Sequence, residues 1–184
     1  MKAYIDIRIL PDDEMRENVL LNKVFTKLHK TLFDLNSNDI GISFPETKVL
    51  LGRVIRIHAA KMRLEELMGC NWLGGLLGYC ACGEIASIPT ETKHRRVFRW
   101  QHNMSESNLR RLIKRKSITK EEIKAYRAKM FSVQLTELPF LELESSSNGN
   151  HHRRYIKMSE LLDKPIIGEF DKFGLSKEAT IPWF

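Results

Sequence analysis

The order of hydrophobic periods in the first 90 residues is the feature that most limits the fold. Residues 4–9 alternate apolar and polar side chains, which indicates a half-buried strand. Residues 17–35 repeat apolar side chains every three or four positions, which predicts an amphipathic helix. The further predicted elements are strands at 40–44 and 54–58, a helix at 61–68 and a strand at 83–88. Strand, helix, strand, strand, helix, strand is the order of the split βαβ, or ferredoxin-like, arrangement.

The second half of the chain is predicted to form another mixed unit of helices and strands. Its predicted elements are a strand at 95–101, helices at 105–116 and from about 119, and strands at 140–144, 152–158, 167–173 and 180–183. Thr119 and Glu122 have the spacing of a capping box at a helix start. Pro89 and Thr90 indicate a boundary. We therefore expect an α+β protein with a ferredoxin-like domain over residues 1–92 and a second domain over residues 93–184.

The positive charge of the chain is concentrated in one short segment. The whole chain carries a formal net charge of +7. Residues 93–116 contain nine lysines or arginines and one glutamate, a surplus of +8, so the other residues together carry −1. A surplus focused in this way indicates a polyanionic partner such as a nucleic acid, and the alternative is a solvated helix face. Anchors such as Trp are sparse on the basic helix, which argues against a membrane surface.

The cysteines and the N-terminus bear on the cellular compartment. Cys70, Cys80 and Cys82 lack the paired spacing of a zinc site. Asp6 and Arg8 interrupt the first apolar run, which a signal peptide would not tolerate. No apolar run reaches the roughly 18 residues needed to span a bilayer. We expect reduced thiols in the cytoplasm, no metal and no cofactor.

The basic segment contains side chains suited to a phosphate backbone and to base edges. The predicted helix at 105–116 has an apolar side and a cationic side, which point in opposite directions. The apolar side carries Leu109, Leu112 and Ile113, and the cationic side carries Arg110, Arg111, Lys114 and Arg115. The cationic side would bind phosphates. Arg99 and Gln101 lie two residues apart, hence on one side of an extended segment, and could pair with guanine and adenine.

His29 is a candidate general acid or base. It lies on or beside the apolar face of the first predicted helix. Histidine titrates near neutral pH and suits proton transfer at the edge of a cleft. The alternative is an ordinary core histidine.

The run SSSNGNHHRR, residues 145–154, is a candidate for binding a phosphate and its ribose. It combines hydroxyls, an amide and a glycine with four adjacent basic-type side chains, His151, His152, Arg153 and Arg154. Glycine lets backbone N–H groups approach a phosphate closely. The alternative is an ordinary polar hairpin.

Taken together, these segments resemble the CRISPR repeat-processing endoribonuclease of type I-F systems over essentially the whole chain. The segments that carry the resemblance are, in order, YIDIRILPD, KVFTKLHKTL with His29, IGISFPE, RVFRWQ followed by RRLIKRK, the turn SxSNGxH, and GLSKEATIPWF. Each is weak alone, but their common order and spacing form a specific signal.

The resemblance implies a fold and an activity. Members resemble a ferredoxin-like N-terminal domain that carries a C-terminal RNA-binding domain with an arginine-rich helix. They recognise the stem-loop of a CRISPR repeat and cut at the 3′ foot of the stem without a metal ion, by attack of a 2′-hydroxyl that leaves a 2′,3′-cyclic phosphate. They then retain the product, which joins a surveillance complex with other subunits.

The resemblance also implies residue roles. His29 resembles the base that deprotonates the ribose 2′-hydroxyl, and Ser145 resembles the hydroxyl that positions that ribose. Arg99 and Gln101 resemble the base-reading pair at the lower stem. The remaining implied RNA contacts are Arg110, Arg111, Arg115 and Lys116 on the arginine-rich helix, and Ser147 and Asn148 in the turn.

Three positions depart from the pattern of the family. Phe173 stands where relatives can carry a tyrosine that orients the histidine, and phenylalanine has no hydroxyl to donate. His152 stands where an aromatic ring can stack under the last base pair, and imidazole stacks more weakly. Leu112 interrupts a helix that is denser in arginine in relatives.

Two other functions are compatible with these residues. A non-catalytic RNA-binding subunit would keep the basic surface without the chemistry. A DNA-binding regulator would use the same basic helix on duplex DNA.

Overall fold

The computed structural model describes residues 1–101, 104–133, 138–144, 149 and 151–184, without the side chains of 131–133, 144 and 151. The α-helices are α1 Glu17–Asp34, α2 Lys61–Gly69, α3 Glu106–Lys114 and α4 Lys120–Val133, and a 3₁₀ helix spans Gly74–Tyr79. The strands are β1 Ala3–Ile9, β2 Gly41–Ser43, β3 Val54–Ala59, β4 Cys80–Cys82, β5 Ala86–Ser87, β6 Lys93–Arg95, β7 Val97–Trp100, β8 Phe140–Glu144, β9 His151–Met158 and β10 Ile181–Trp183. The protein is therefore α+β, as predicted.

The N-terminal sheet has the strand order β2-β3-β1-β4, and its neighbouring strands are antiparallel. In β1 the isoleucines at positions 5, 7 and 9 are buried, and the polar residues between them are more exposed. This period of two places one face of the strand against the core. The predicted strand at 4–9 is confirmed.

Helix α1 packs on this sheet through one apolar stripe. Its buried side chains are Leu20, Leu21, Val24, Phe25, Leu28 and Leu32. Their spacing of three and four residues keeps them on one face of a helix. Burial of each of the larger side chains contributes about 1.5–3 kcal/mol to stability, as an upper estimate. His29 lies at the edge of this stripe and is half-buried.

The predicted strand at 83–88 is only partly right. Two short strands pair with β1 in its place, β4 through Cys82 opposite Ile7 and β5 through Ala86 opposite Tyr4. Between these pairs, residues 83–85 face only two residues of β1. This is the pattern of a β-bulge, which interrupts the ladder of one continuous strand.

The predicted strand at 95–101 is divided between two sheets. β6 pairs with β10, and β7 pairs with β9 in a sheet of order β7-β9-β8. The break is at Arg96, whose backbone N–H donates to Ser159 Oγ at 2.9 Å while its carbonyl accepts from the Ser159 N–H at 3.0 Å. Arg96 is opposite Ser159 in the register of β7 and β9, so the second bond continues the ladder. The first does not, because the Ser159 hydroxyl accepts in place of the Ser159 carbonyl, which accepts instead from the Arg95 side chain at 3.0 and 2.6 Å.

The predicted strand at 167–173 is wrong. The Asp171 carboxylate accepts hydrogen bonds from the backbone N–H groups of Phe173 and Leu175, both at 2.9 Å. Gly174 then adopts a φ of +67°, in the left-handed region that favours glycine. Local bonds of this kind make a turn and compete with a sheet ladder. The predicted strands at 140–144, 152–158 and 180–183 correspond to β8, β9 and β10.

Helices α3 and α4 pack against each other. The Tyr126 hydroxyl on α4 accepts from the Ser105 backbone N–H at 3.1 Å and from Asn108 Nδ2 at 3.3 Å. The predicted capping box is confirmed, since the Thr119 N–H donates to Glu122 Oε2 at 2.8 Å and the Glu122 N–H donates to Thr119 Oγ1 at 3.3 Å.

The buried core continues across residue 92. Val97, Leu141, Ile156 and Ile181 belong to the same buried cluster as the side chains of α1 and β1. The division into domains at residues 1–92 and 93–184 stays a prediction. Among the described residues, no helix has the length and apolarity that a membrane span requires.

Candidate active site

His29 is held by a backbone carbonyl from the C-terminal segment. Its Nδ1 lies 2.7 Å from the carbonyl oxygen of Lys172. A carbonyl oxygen only accepts hydrogen bonds, so Nδ1 carries the proton and donates it. In the neutral ring, Nε2 then keeps its lone pair. This is the tautomer that a general base at Nε2 requires.

The ring of His29 also lies against Phe173. The ring centroids are 3.5 Å apart and the planes differ by 12°. The guanidinium carbon of Arg154 lies 3.4 Å from the same Phe173 centroid. Two groups cannot occupy one face at van der Waals distance, so the imidazole and the guanidinium lie on opposite faces of Phe173. Phe173 thus orients His29 by stacking, without the hydroxyl of a tyrosine.

The pKa of His29 is lowered below its usual value of 6.5, first because burial disfavours the charged ring and then because Arg154 repels it. The hydrogen bond to Lys172 and the Asp171 carboxylate act in the opposite direction. His29 is therefore neutral at neutral pH. A neutral imidazole is ready to accept a proton.

The turn at residues 171–175 fixes the two groups that hold His29. Asp171 accepts two backbone N–H groups of the turn, as described above, and the Asp171 N–H donates to the Leu175 carbonyl at 2.8 Å. The Lys172 ammonium is tied to the end of α1 through Asn36 Oδ1 at 2.5 Å and the Ser37 carbonyl at 3.1 Å. These bonds fix the positions of the Lys172 carbonyl and the Phe173 ring relative to α1.

A groove of about 670 Å³ runs between this turn and the β7-β9-β8 sheet. Residues that line it include Arg99, Gln101, Arg154, Lys172, Phe173 and Lys177, and we call it the Arg99 groove. Its volume is in the range of ligand sites. The structure therefore brings the predicted base-reading pair, Arg99 and Gln101, to the turn that contacts His29.

The two predicted residues of β9 lie on opposite faces of their sheet. His152 is exposed and shares a face with Arg154, because side chains two apart on a strand point the same way. Arg153 is on the other face, where its Nε lies 3.5 Å from Glu142 Oε1 and its guanidinium covers the ring of Phe140 at 4.5 Å. His152 is thus on the face of the Arg99 groove, and Arg153 is not.

The predicted cationic side of α3 is exposed. Its members are Arg110, Arg111 and Lys114 within the helix, and Arg115 and Lys116 directly after it. On the apolar side Leu109 is fully buried, Leu112 is half-buried and Ile113 is 43% exposed. The apolar side is therefore narrower than predicted. The contacts described for α3 run to α4 and do not join its cations to His29.

The C-terminal end of α3 has a strained residue. Lys116 has a φ of +52°, which L-residues other than asparagine and aspartate seldom adopt. The Lys116 N–H donates to the Ile113 carbonyl at 3.0 Å and the Ser117 N–H to the Leu112 carbonyl at 3.1 Å, the two bonds of a Schellman motif. Lys116 is thereby held at a defined place beside Arg115.

Comparison with known proteins identifies the family. The model of the family described as CRISPR-associated protein (Cas_Csy4) matches residues 4–184. The chain belongs to the Cas_Csy4 family. It is similar to the CRISPR-associated endonuclease Cas6/Csy4 of Escherichia coli (strain UTI89 / UPEC), with 36% identity over 184 residues that cover all of both chains. It is similar to the protein of the same name from Pseudomonas aeruginosa (strain UCBPP-PA14), with 36% identity over 187 residues and all of both chains covered. The resemblance noted in the sequence is confirmed.

Three predicted site residues of this Cas_Csy4 member lie outside the described residues, namely Ser145, Ser147 and Asn148. Their predicted roles with the ribose and the phosphate stay predictions. The nearest described residues are Glu144, whose side chain is not described, and Gly149, which has a φ of +65°.

Sequence reasoning missed one group of the site and did not single out another. The carbonyl of Lys172 has no side-chain signature, so no pattern could have indicated it. Arg154 was one of four adjacent basic-type side chains expected to suit a phosphate, but Arg153 was the arginine of this run named as an RNA contact. The alternation of β9 could have separated the two arginines, since Arg154 aligns with the buried Ile156 two residues later.

Proposed function

We propose that this Cas_Csy4 member is a metal-independent endoribonuclease that cuts CRISPR repeat RNA at the 3′ foot of its stem-loop and keeps the product. The observation that carries the proposal is the bond from His29 Nδ1 to the Lys172 carbonyl. It leaves Nε2 of a neutral imidazole as the base. Membership of a family whose members include named endonucleases supports the same reaction.

The proposed reaction needs one proton acceptor and good alignment. His29 Nε2 takes the proton of the ribose 2′-hydroxyl, and the 2′-oxygen forms a bond to phosphorus. The bond from phosphorus to the 5′-oxygen breaks, and that oxygen takes a proton from water and leaves as a 5′-hydroxyl. The hydroxide that remains takes the proton from His29, which returns to its neutral form. A 2′,3′-cyclic phosphate remains. General base catalysis contributes roughly 10²- to 10⁴-fold, and alignment contributes more.

Recognition of the RNA is assigned to the basic surfaces. Arg99 and Gln101 line the Arg99 groove and read the lower stem, while His152 offers a ring on the same side. The phosphate backbone is bound by exposed cations of α3 and its end, Arg110, Arg111, Lys114, Arg115 and Lys116. Such contacts release counterions, so affinity falls steeply with salt.

The fold and the setting complete the proposal. The strand order β2-β3-β1-β4, with α1 and α2 as crossovers, supports a ferredoxin-like arrangement for residues 1–92, and residues 93–184 form the RNA-binding part. The retained product joins a type I-F surveillance complex with other subunits. The cysteines Cys70, Cys80 and Cys82 are free, as is usual for thiols in the cytoplasm.

The test uses the full chain and the stem-loop of the neighbouring genomic repeat. In EDTA, the protein is expected to cleave this RNA and to leave a 2′-deoxy version at the cut site intact. His29→Ala should abolish cleavage and bind nearly as well as the parent protein. A need for magnesium, or cleavage of the deoxy substrate, would contradict the mechanism. Binding without any cleavage would indicate a non-catalytic RNA-binding subunit instead.

A further inference from the structure

Arg154 is a buried cation for which the described residues provide no hydrogen-bonded anion. Only 5% of its surface is exposed, and its Nε has no hydrogen-bond partner among the described residues. Burial of a charge is unfavourable unless the charge is paired and hydrogen-bonded. Burial lowers the pKa of Arg154 to about 10, still far above neutral pH. The guanidinium therefore remains charged, and its position needs an explanation.

Two described charged neighbours act on Arg154 in opposite directions. Its charge is repelled by Arg99 and attracted by Asp171. The Asp171 carboxylate, however, already accepts two backbone N–H groups of its own turn. The close contact of Arg154 is with the face of Phe173, which supplies a cation–π interaction and no hydrogen bond.

The open side of Arg154 is the Arg99 groove, which both arginines line. Four cations, those of Arg99, Arg154, Lys172 and Lys177, and three carboxylates, those of Glu169, Asp171 and Glu178, line this groove. Among the cations, Arg154 is the buried one whose Nε is unpaired within the described part of the chain, and a guanidinium suits the oxygen pairs of a phosphate. His29 lies on the far side of Phe173, within two stacking distances of Arg154. The two distances to the Phe173 centroid, 3.5 and 3.4 Å, put the groups about 7 Å apart, and His29 itself does not line the groove. A ribose at the edge of the Phe173 ring would join a 2′-hydroxyl at His29 to a phosphate at Arg154.

We propose that Arg154 is a catalytic residue that binds the non-bridging oxygens of the phosphate to be cleaved. This rests on the proposed function, because it assigns the scissile phosphate to the Arg99 groove. As the 2′-oxygen attacks, negative charge on the phosphate oxygens grows, and a guanidinium already fixed beside them stabilises it. Arg154 stays protonated throughout, and its charge is then matched by the substrate.

The test compares Arg154→Met with Lys157→Met, which removes one charge from an exposed position on the other face of β9. The first measurement is the melting temperature in sodium sulfate against sodium chloride at equal ionic strength. Sulfate raises the melting temperature of most proteins by its exclusion from the surface, so the comparison is between variants. The rise should be equal in the parent protein and Lys157→Met, and smaller in Arg154→Met. The second is single-turnover cleavage, which should fall about 10²-fold in Arg154→Met and stay within about threefold in Lys157→Met.

If Arg154 had only a structural role, Arg154→Met would melt at a lower temperature than the parent protein. We expect no such loss in chloride, because the methionine removes a buried charge. If Arg154→Met does not fold, Arg154→Lys replaces it in the test, since lysine keeps the charge but lacks the paired donors of a guanidinium. Arg154→Lys should lose part of the cleavage rate and part of the response to sulfate. Cleavage and a sulfate response equal to those of Lys157→Met would overturn the proposal. If the parent protein does not cleave the repeat, the proposed function fails, and the sulfate comparison alone still decides whether Arg154 binds an anion.

Discussion

Replacement of Phe173 by leucine tests whether the stack around His29 is real. The change keeps an apolar side chain but removes the ring between His29 and Arg154. Loss of an aromatic pair costs about 0.5–1.5 kcal/mol, and loss of a desolvated cation–π contact costs about 2 kcal/mol. We therefore expect the free energy of unfolding to fall by about 3 kcal/mol. For a chain of this size the melting temperature should fall by roughly 6–12 °C.

Urea unfolding followed by far-ultraviolet circular dichroism measures this change. Phe33→Leu is the matched control, because Phe33 is 64% exposed on α1, and it should cost less than about 0.5 kcal/mol. A double-mutant cycle of Phe173→Leu with Arg154→Met should give a coupling energy of about 1–2 kcal/mol. Two results would refute the stack of His29, Phe173 and Arg154. One is a loss of unfolding free energy in Phe173→Leu that is no larger than in the control, and the other is strict additivity in the cycle.

Three further predictions concern stability. Thr119→Ala should remove the capping box of α4 and cost about 1 kcal/mol in urea unfolding, with no loss if the box is dispensable. Gly174→Ala should cost about 2–4 kcal/mol, because its φ of +67° strains an L-residue and an added Cβ would lie 2.8 Å from Ile42 Cγ2; a neutral result would show that the turn adapts. Burial lowers the pKa of His58 from 6.5 to about 3. Between these two values the His58 imidazole is protonated in the unfolded chain and neutral in the folded protein. Stability should then fall with decreasing pH by up to about 1.4 kcal/mol per pH unit from this group, and His58→Gln should remove that part of the slope; an identical slope in the variant would contradict this.

The features of the fold that depend on residues close together in the chain were predicted correctly from the sequence. The capping box was predicted with both of its residues, Thr119 and Glu122, because the two partners are three residues apart. The alternation in β1 and the stripe of α1 were also predicted, since each period reports burial directly. The strand predicted at 167–173 failed because its backbone bonds are made within a turn and with a distant segment, as when the Phe170 N–H donates to the Asn38 carbonyl at 2.9 Å.

The site required contacts that no local pattern contains. His29 and Lys172 are 143 residues apart in the chain. The family resemblance pointed to His29, but it could not show how the ring is held when a phenylalanine occupies position 173. The tertiary fold brings the Lys172 carbonyl to Nδ1 of His29 and the face of the Phe173 ring against the imidazole. The same folding brings Arg154 into the groove while its neighbour Arg153 faces away.

The dependence of cleavage on pH tests the central claim most directly, namely that neutral His29 is the base. Single-turnover cleavage at subsaturating protein in EDTA reports the ionisation of the free protein. The rate should rise as His29 loses its proton, with an apparent pKa below 6.5, and should then level off. His29→Ala should lose this limb together with the activity. A rate that still climbs tenfold per unit above pH 7, or an unchanged limb in His29→Ala, would contradict the account.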